Sequence, residues 1–434
     1  MKIETRAVHA GDRKRIPGQP TPVTTPIVTA SSFLHESTAT LDRVMGHEEE
    51  GWSYSRYGNP TNGALEDLIC DLEGGASALA CASGMLAVQT AFLVALTDRP
   101  KRILAASALY GATTGMLTKI LEPLGVEVEF IDICDLAAVE RRIVDWKPGC
   151  VILETLSNPL LRVPAIDRIA AITHASGAAL IVDNTFATPL LVRPLELGAN
   201  LVVHSLTKFL AGHGDVLGGI VVADAAHAET LRNLSRISGP VLGPFESYLT
   251  MRGVKTFVLR MERQCANARR VAEWLSANPA VSRVHFPEDP AHPDADVIAR
   301  LLPQGMYGAI VTFELRDAGR EEVFRFMDAF RLVVCGTSLG DVHSLLLYPA
   351  IASHRDLSPK QRERQGITDG LVRLCCGIEA VEDIIADLAQ AIEACRAGLT
   401  RGEAASVSLS PDTATSCASL VVKPAAASQA AHHK

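Results

Sequence analysis

The chain has 434 residues, of which 48% are hydrophobic and 21% charged, and its mean hydropathy is +0.18. That excludes a disordered chain and provides apolar material for one large domain or two ordinary ones. The formal net charge of −8 gives no reason to expect a nucleic-acid partner, and no apolar run reaches the roughly twenty residues of a membrane span.

Apolar runs at 102–106, 128–131, 151–153, 179–182, 201–203 and 219–222 read as strands, several of them apolar on consecutive residues as in strands covered on both faces. Between them, IDRIAAITHASG repeats its apolar residues at three and four and ends on a glycine, which predicts a helix. This alternation from about 60 to 225 predicts an α/β fold with a mostly parallel sheet, whose chemistry collects at the carboxyl ends of the strands. A long helical stretch is expected at 245–278. Beyond the loop EDPAHPDAD, strands are expected at 309–314, 332–334 and VRLCCGIE, and helices at EEVFRFMDAF and VEDIIADLAQAIEACR. These form a smaller C-terminal α/β domain. From 398 the chain turns to Ala, Ser and Thr, which predicts a disordered tail over 398–434.

The ten cysteines include no CxxC pair, so neither a zinc site nor a thioredoxin-type motif is expected, and no metal. Cysteines in apolar settings suit a reducing compartment, and MKIETRAVHAGDRKR carries no apolar segment of the secretory type. A cytoplasmic protein is expected.

Three segments carry chemistry. In VVHSLTKFLAGHGD, Lys208 follows an apolar strand between hydroxyls and a glycine-rich turn. A lysine kept partly dry at a strand end has a lowered pKa and becomes a nucleophilic amine, although a lysine by itself usually lies on the surface. Ser205 and Thr207 offer hydroxyls for phosphate oxygens without adding charge. In ALIVDNTF, Asp183 ends a strand. It reads equally as a cap on the following segment or as a buried carboxylate needing a cation such as a protonated pyridine nitrogen. In ACASGMLA a small-residue turn opens a helix, where Gly84 and Met85 offer free N–H groups to a phosphate; ordinary turns share these residues. Neither GxxxxGK[ST] nor GxGxxG occurs, which disfavours an NAD-dependent dehydrogenase. A non-enzymatic binding module would leave Lys208, Asp183 and Arg373 without a joint purpose.

With YSRYGNPTN, ETLSNP and LVRLCCGIE in the same order, HSLTKFLAGHGDVLGG closely resembles the Cys/Met-metabolism family of pyridoxal-phosphate enzymes, over roughly residues 5 to 396. The family includes cystathionine γ-synthase, cystathionine γ-lyase, methionine γ-lyase and the O-acylhomoserine sulfhydrylases. The resemblance implies the fold type I, aspartate-aminotransferase-like PLP-dependent transferase fold. Its parts would be an arm at 1–60 reaching the neighbouring subunit, a cofactor-binding domain at 61–258 and a small domain at 259–397. Lys208 resembles the lysine that holds pyridoxal 5'-phosphate covalently, and Asp183 the partner of its pyridine nitrogen. Tyr110 is similar to the aromatic stacked on the ring and is also the expected acid or base. Asn158 resembles the residue near the cofactor's phenolic oxygen and the substrate. Ser205, Thr207, Gly84 and Met85 resemble the phosphate contacts. Tyr54 and Arg56 are similar to the pair reaching the phosphate from another subunit, which implies a homotetramer of active-site-sharing dimers. Arg373 resembles the clamp on the substrate's α-carboxylate, and Ser338 lies in the SLG motif lining the substrate site.

The implied reaction is γ-elimination or γ-replacement on a small homoserine-derived amino acid, of the cystathionine γ-lyase or γ-synthase type. O-Acetylhomoserine sulfhydrylase and methionine γ-lyase are the alternatives. The substrate amine would displace Lys208, which then moves protons at the α- and β-carbons before the γ-substituent leaves. Addition of a thiol or hydrolysis to a 2-oxo acid and ammonia would follow. Departures from the family's pattern are His343 where relatives carry a glutamate and Tyr348 where they carry a histidine, in a region implied to face the substrate's distal end. No cysteine follows Tyr110-Gly111, which weakens the methionine γ-lyase reading.

Overall fold

A computed structural model describes residues 1–14, 20–355, 360, 362 and 366–399, the last four without their side chains. The larger sheet has seven strands: β1 (Ser77–Cys81), β2 (Arg102–Ala106), β3 (Glu127–Ile131), β4 (Cys150–Glu154), β5 (Ala179–Asp183), β6 (Leu201–Ser205) and β7 (Gly219–Ala223). Their order is β1-β7-β6-β5-β4-β2-β3, and β7 alone runs against its neighbours. The six predicted runs fall within two residues of β2 to β7. They were legible because β4 to β7 are buried along nearly their whole length, which demands apolar residues on both faces. Strand β1, with the sequence SALAC, lacks β-branched residues and escapes that pattern.

The smaller sheet contains β8 (Val281–His285), β9 (Ile310–Leu315), β10 (Val334–Cys335), β11 (Leu345–Leu347) and β12 (Leu371–Cys375), in the order β10-β11-β12-β9-β8. It is antiparallel apart from the β10–β11 pair. The helices Phe257–Ser276, Arg320–Asp328 and Val381–Leu399 serve this sheet, and the last runs past the expected boundary at 398. The expected tail beyond it, 400–434, lies outside the described residues. The stretch expected as one helix at 245–278 is two, Pro244–Val254 and Phe257–Ser276. The break frees the Gly253 carbonyl, which accepts from Arg260 at 2.9 Å and from the Thr256 hydroxyl at 3.2 Å.

Each sheet has its own core. One surrounds the larger sheet and includes Phe92, Val151, Ile181 and Val202. The other surrounds the smaller sheet and includes Phe313, Phe326, Leu374 and Tyr348. Tyr348 is 1% exposed, and its hydroxyl donates to the Asp369 carbonyl at 2.7 Å. It therefore sits in the core of the smaller sheet rather than on a surface facing the substrate's distal end. Among the described residues no helix is long and apolar enough to cross a membrane.

The helix Gly84–Leu96 packs behind the larger sheet with Ala87, Val88, Ala91, Phe92, Val94 and Ala95 buried. Its first turn presses on the start of β7: a Cβ on Gly219 would lie 2.3 Å from the Ser83 carbonyl oxygen and 2.7 Å from Gly84 Cα. Only glycine fits there.

Candidate active site

Three parallel strands in the middle of the larger sheet deliver polar side chains at their carboxyl ends. Glu154 ends β4, Asp183 ends β5 and Ser205 ends β6, and Glu154 stands opposite Asp183 in the ladder. Asp183 Oδ1 accepts from the Thr185 N–H at 2.9 Å, and among the described residues no cationic side chain pairs with it. Burial pushes this carboxyl above its ordinary range. Glu154 is pushed up to about 8, by burial and then by the charge of Asp183.

The turn after β6 carries Lys208, whose Nζ donates to Ser338 Oγ at 2.9 Å. Burial, and then the nearby Arg373, lowers the pKa of this amine. The turn is gripped from two sides. Arg260, itself buried, donates to the carbonyls of Phe209 at 2.8 Å and Leu210 at 3.1 Å. On the other side Gly340 has φ of +79°, and a Cβ there would lie 2.5 Å from the Phe209 nitrogen. Ser338-Leu339-Gly340 therefore lies directly against the Lys208 peptide.

Arg373, on β12, reaches across from the smaller sheet. It is 3% exposed, and its Nη1 donates to Asn158 Oδ1 at 2.8 Å and its Nη2 to the Ser338 carbonyl at 3.4 Å. Its Nε is buried with no partner, and its guanidinium lies 5.9 Å from the centroid of the Phe186 ring. Burial pulls its pKa down to about 10. A buried guanidinium with a spare donor and no carboxylate bonded to it is arranged for an incoming anion.

The other predicted residues divide. Tyr110 stands immediately before the helix Gly111–Met116, its backbone N–H donating to Glu154 Oε1 at 2.5 Å and its side chain 45% exposed. Gly84 opens its helix beside Ser205, since a Cβ on it would lie 3.0 Å from Ser205 Oγ, and Met85 follows in the same turn. The Thr207 hydroxyl is engaged by Gly218, accepting from its N–H at 3.0 Å and donating to its carbonyl at 3.2 Å. Tyr54 and Arg56 lie elsewhere. Arg56 donates to the Arg236 carbonyl and rests 4.6 Å from the Tyr57 ring centroid and 5.6 Å from that of Tyr54. Among the described residues their hydrogen bonds and ring contacts do not reach the Lys208 cluster. His343 stays largely exposed beside Asp341, with Nδ1 and Oδ1 3.4 Å apart.

Sequence reasoning passed over Glu154, Phe186 and Arg260. Glu154 had a signal, since it ends the apolar run VILE as Asp183 ends ALIVD. The guanidinium of Arg260 acts through backbone carbonyls, which leave no trace in a motif.

An Asp whose donors all come from Thr185 and which no cation pairs with, a desolvated lysine and a helix N-terminus beside Ser205 together suit a protonated pyridine bearing a phosphate and an aldehyde. Comparison with known proteins agrees. The family model described as Cys/Met metabolism PLP-dependent enzyme matches residues 4–393. An L-methionine γ-lyase of Fusobacterium nucleatum subsp. polymorphum is 39% identical over 394 residues, covering 90% of this chain and 98% of that protein. The chloroplastic cystathionine γ-synthase 1 of Arabidopsis thaliana is 38% identical over 387 residues, covering 89% of this chain and 68% of that protein. A crystal structure of cystathionine γ-lyase from Lactobacillus plantarum complexed with L-serine superposes with a TM-score of 0.84 at 34% identity, covering 91% of this chain and all of that one. The chain belongs to the Cys/Met-metabolism family of pyridoxal-phosphate-dependent enzymes. It is accordingly a fold type I enzyme of trans-sulfuration chemistry whose cofactor is pyridoxal phosphate and whose substrates are small amino acids.

Proposed function

We propose that the chain catalyses γ-elimination or γ-replacement on a homoserine-derived amino acid, as a cystathionine γ-lyase or cystathionine γ-synthase does. The observation that carries this reading is the junction of Lys208, Ser338, Arg373 and Asn158. A half-buried amine and a buried guanidinium with a free donor lie on either side of one serine. That spacing suits an α-amino acid, whose amine and carboxylate are held by different groups.

Pyridoxal phosphate, when bound, supplies an electron sink that makes the α- and β-protons of an amino acid labile. The rest falls to side chains. Asp183, which no cationic side chain pairs with among the described residues, would meet the ring nitrogen and keep it protonated. Ser205, Thr207 and the N–H groups of Gly84 and Met85 hold the phosphate, with Thr207 exchanging its bonds to Gly218 for that task. Lys208 would hold the cofactor through its aldehyde, and its Nζ, once free, would move protons at the two carbons; a desolvated amine has the lowered pKa this requires. Arg373 and Asn158 orient the α-carboxylate. Tyr110 would stack on the ring and exchange a proton with the departing γ-substituent. Tyr54 and Arg56 serve the phosphate of a second copy, which makes the working unit a homotetramer of site-sharing dimers, located in the cytoplasm. In this reading 1–60 is the arm, 61–258 the cofactor domain and 259–397 the small domain.

The test is a panel of cystathionine, O-succinylhomoserine, O-acetylhomoserine and methionine, scored for thioether product and for the 2-oxo acid released. 2-Oxobutyrate or a new thioether supports γ-chemistry; pyruvate from cystathionine alone marks β-elimination and overturns it. Activity confined to methionine, or to O-acetylhomoserine with sulfide, assigns methionine γ-lyase or the sulfhydrylase instead. Borohydride reduction followed by peptide mapping should place the cofactor on Lys208, and Lys208→Ala should abolish both the label and turnover.

A further inference from the structure

Glu154 is 6% exposed, has no ion-pair partner among the described residues and stands beside Asp183 in the sheet, a costly place for a carboxylate. Its two oxygens are spent on two different loops. Oε1 accepts from the N–H of Tyr110 at 2.5 Å and Oε2 from the N–H of Asn158 at 3.2 Å. Asn158 then holds Arg373 through its side-chain oxygen at 2.8 Å. From the far side, Thr312 on β9 donates to the Pro159 carbonyl at 2.6 Å, so the Asn158 turn is pinned between the two sheets. Each oxygen meets a donor from a different loop, an arrangement a carboxyl group matches and an amide does not, because an amide turns its N–H₂ towards one of the two donors.

We propose that Glu154 is a positioning residue: its two carboxyl oxygens fix the Asn158 turn so that Asn158 and Arg373 meet the substrate's α-carboxylate in register with the Tyr110 loop. This rests on Arg373 being the carboxylate clamp. In Glu154→Gln the single amide oxygen serves one loop, while the amide N–H₂ confronts the donor of the other. The oxygen stays with Tyr110, the shorter bond, and the Asn158 turn loses its anchor.

The experiment uses holoenzyme and two non-reacting amines, glycine and methylamine, titrated by the change in the cofactor's visible absorption. Methylamine has the amine but no carboxylate. Glu154→Gln should weaken glycine by up to about tenfold, the worth of one hydrogen bond, and leave methylamine within about twofold. In an Asn158→Ala background Glu154→Gln should add nothing further for glycine. Equal losses for both amines, or a full additional loss in that background, would overturn the proposal. Arg373→Lys separates it from the reading beneath it. If Arg373→Lys weakens glycine selectively and Glu154→Gln does not, the positioning role fails. If Arg373→Lys affects neither amine, the clamp itself fails. Glu154→Asp, which keeps the charge but is too short to span both loops, repeats the measurement should the glutamine variant not fold.

Discussion

Asn158 and Arg373 stand 215 positions apart in the chain, yet their side chains meet at 2.8 Å, joining a turn of the larger sheet to a strand of the smaller one. The guanidinium can hold Asn158, reach the Ser338 carbonyl and still present Nε, because its donors diverge in a plane. An ammonium has no such fork. Arg373→Lys should raise KM for every amino-acid substrate by about one to two orders of magnitude and lower kcat less, read from steady-state kinetics.

Asp183→Asn separates catalysis from stability. The amide still accepts from Thr185 but offers no charge to a ring nitrogen, so kcat should fall by about two orders of magnitude. Folding responds in the opposite sense. Burial raises the pKa of Asp183 in the fold, so its ionisation favours the unfolded chain at neutral pH. Cofactor-free Asp183→Asn should therefore resist urea better than the parent at pH 7, and that advantage should vanish below about pH 4, where the carboxyl is protonated in both states.

Tyr348→Phe removes one hydrogen bond, to the Asp369 carbonyl, and leaves the ring packed edge-on against Phe324. The expected loss is about 1 kcal/mol of unfolding free energy. Ratios of kcat/KM among the panel substrates should be unchanged, since the side chain belongs to a core. A shift in those ratios would return Tyr348 to the substrate site.

His354 gives the fold an acid limb. It is buried beside Arg373, and burial and then that charge pull its pKa from 6.5 to about 4. The native state therefore binds fewer protons than the unfolded chain between these values. Its contribution is intact above about pH 6.5 and is lost as the pH falls towards about 4, by about 3 kcal/mol in all. His354→Gln, which cannot take up a proton, should flatten the pH dependence of urea unfolding across that window.

Much of this fold was open to a reader of the sequence, for an identifiable reason. Strands β4 to β7 are buried on both faces, so their apolar runs stand out, and Lys208, Asp183 and Ser205 follow from where those runs stop. Contacts that cross the chain were closed to that reading. The position of Tyr348 in a core depends on Phe324 and Asp369, and the break after Val254 depends on Gly253, whose carbonyl Arg260 takes up. Glu154 escaped because its hydrogen bonds go to backbone N–H groups, which every residue type except proline possesses. Tyr54 and Arg56 exposed the other limit: one chain does not contain the partner their proposed role requires.

The bare backbone at Gly219 has a bearing on how such enzymes can be altered. With the Ser83 carbonyl occupying the volume a side chain would fill, the end of one helix and the start of an antiparallel strand form a single joint. Lengthening the loop before Ser83 or displacing β7 would shift the helix terminus proposed to hold the phosphate relative to Ser205. Redesign of substrate preference therefore has more freedom around the exposed His343, on the smaller sheet's side, than anywhere along this joint.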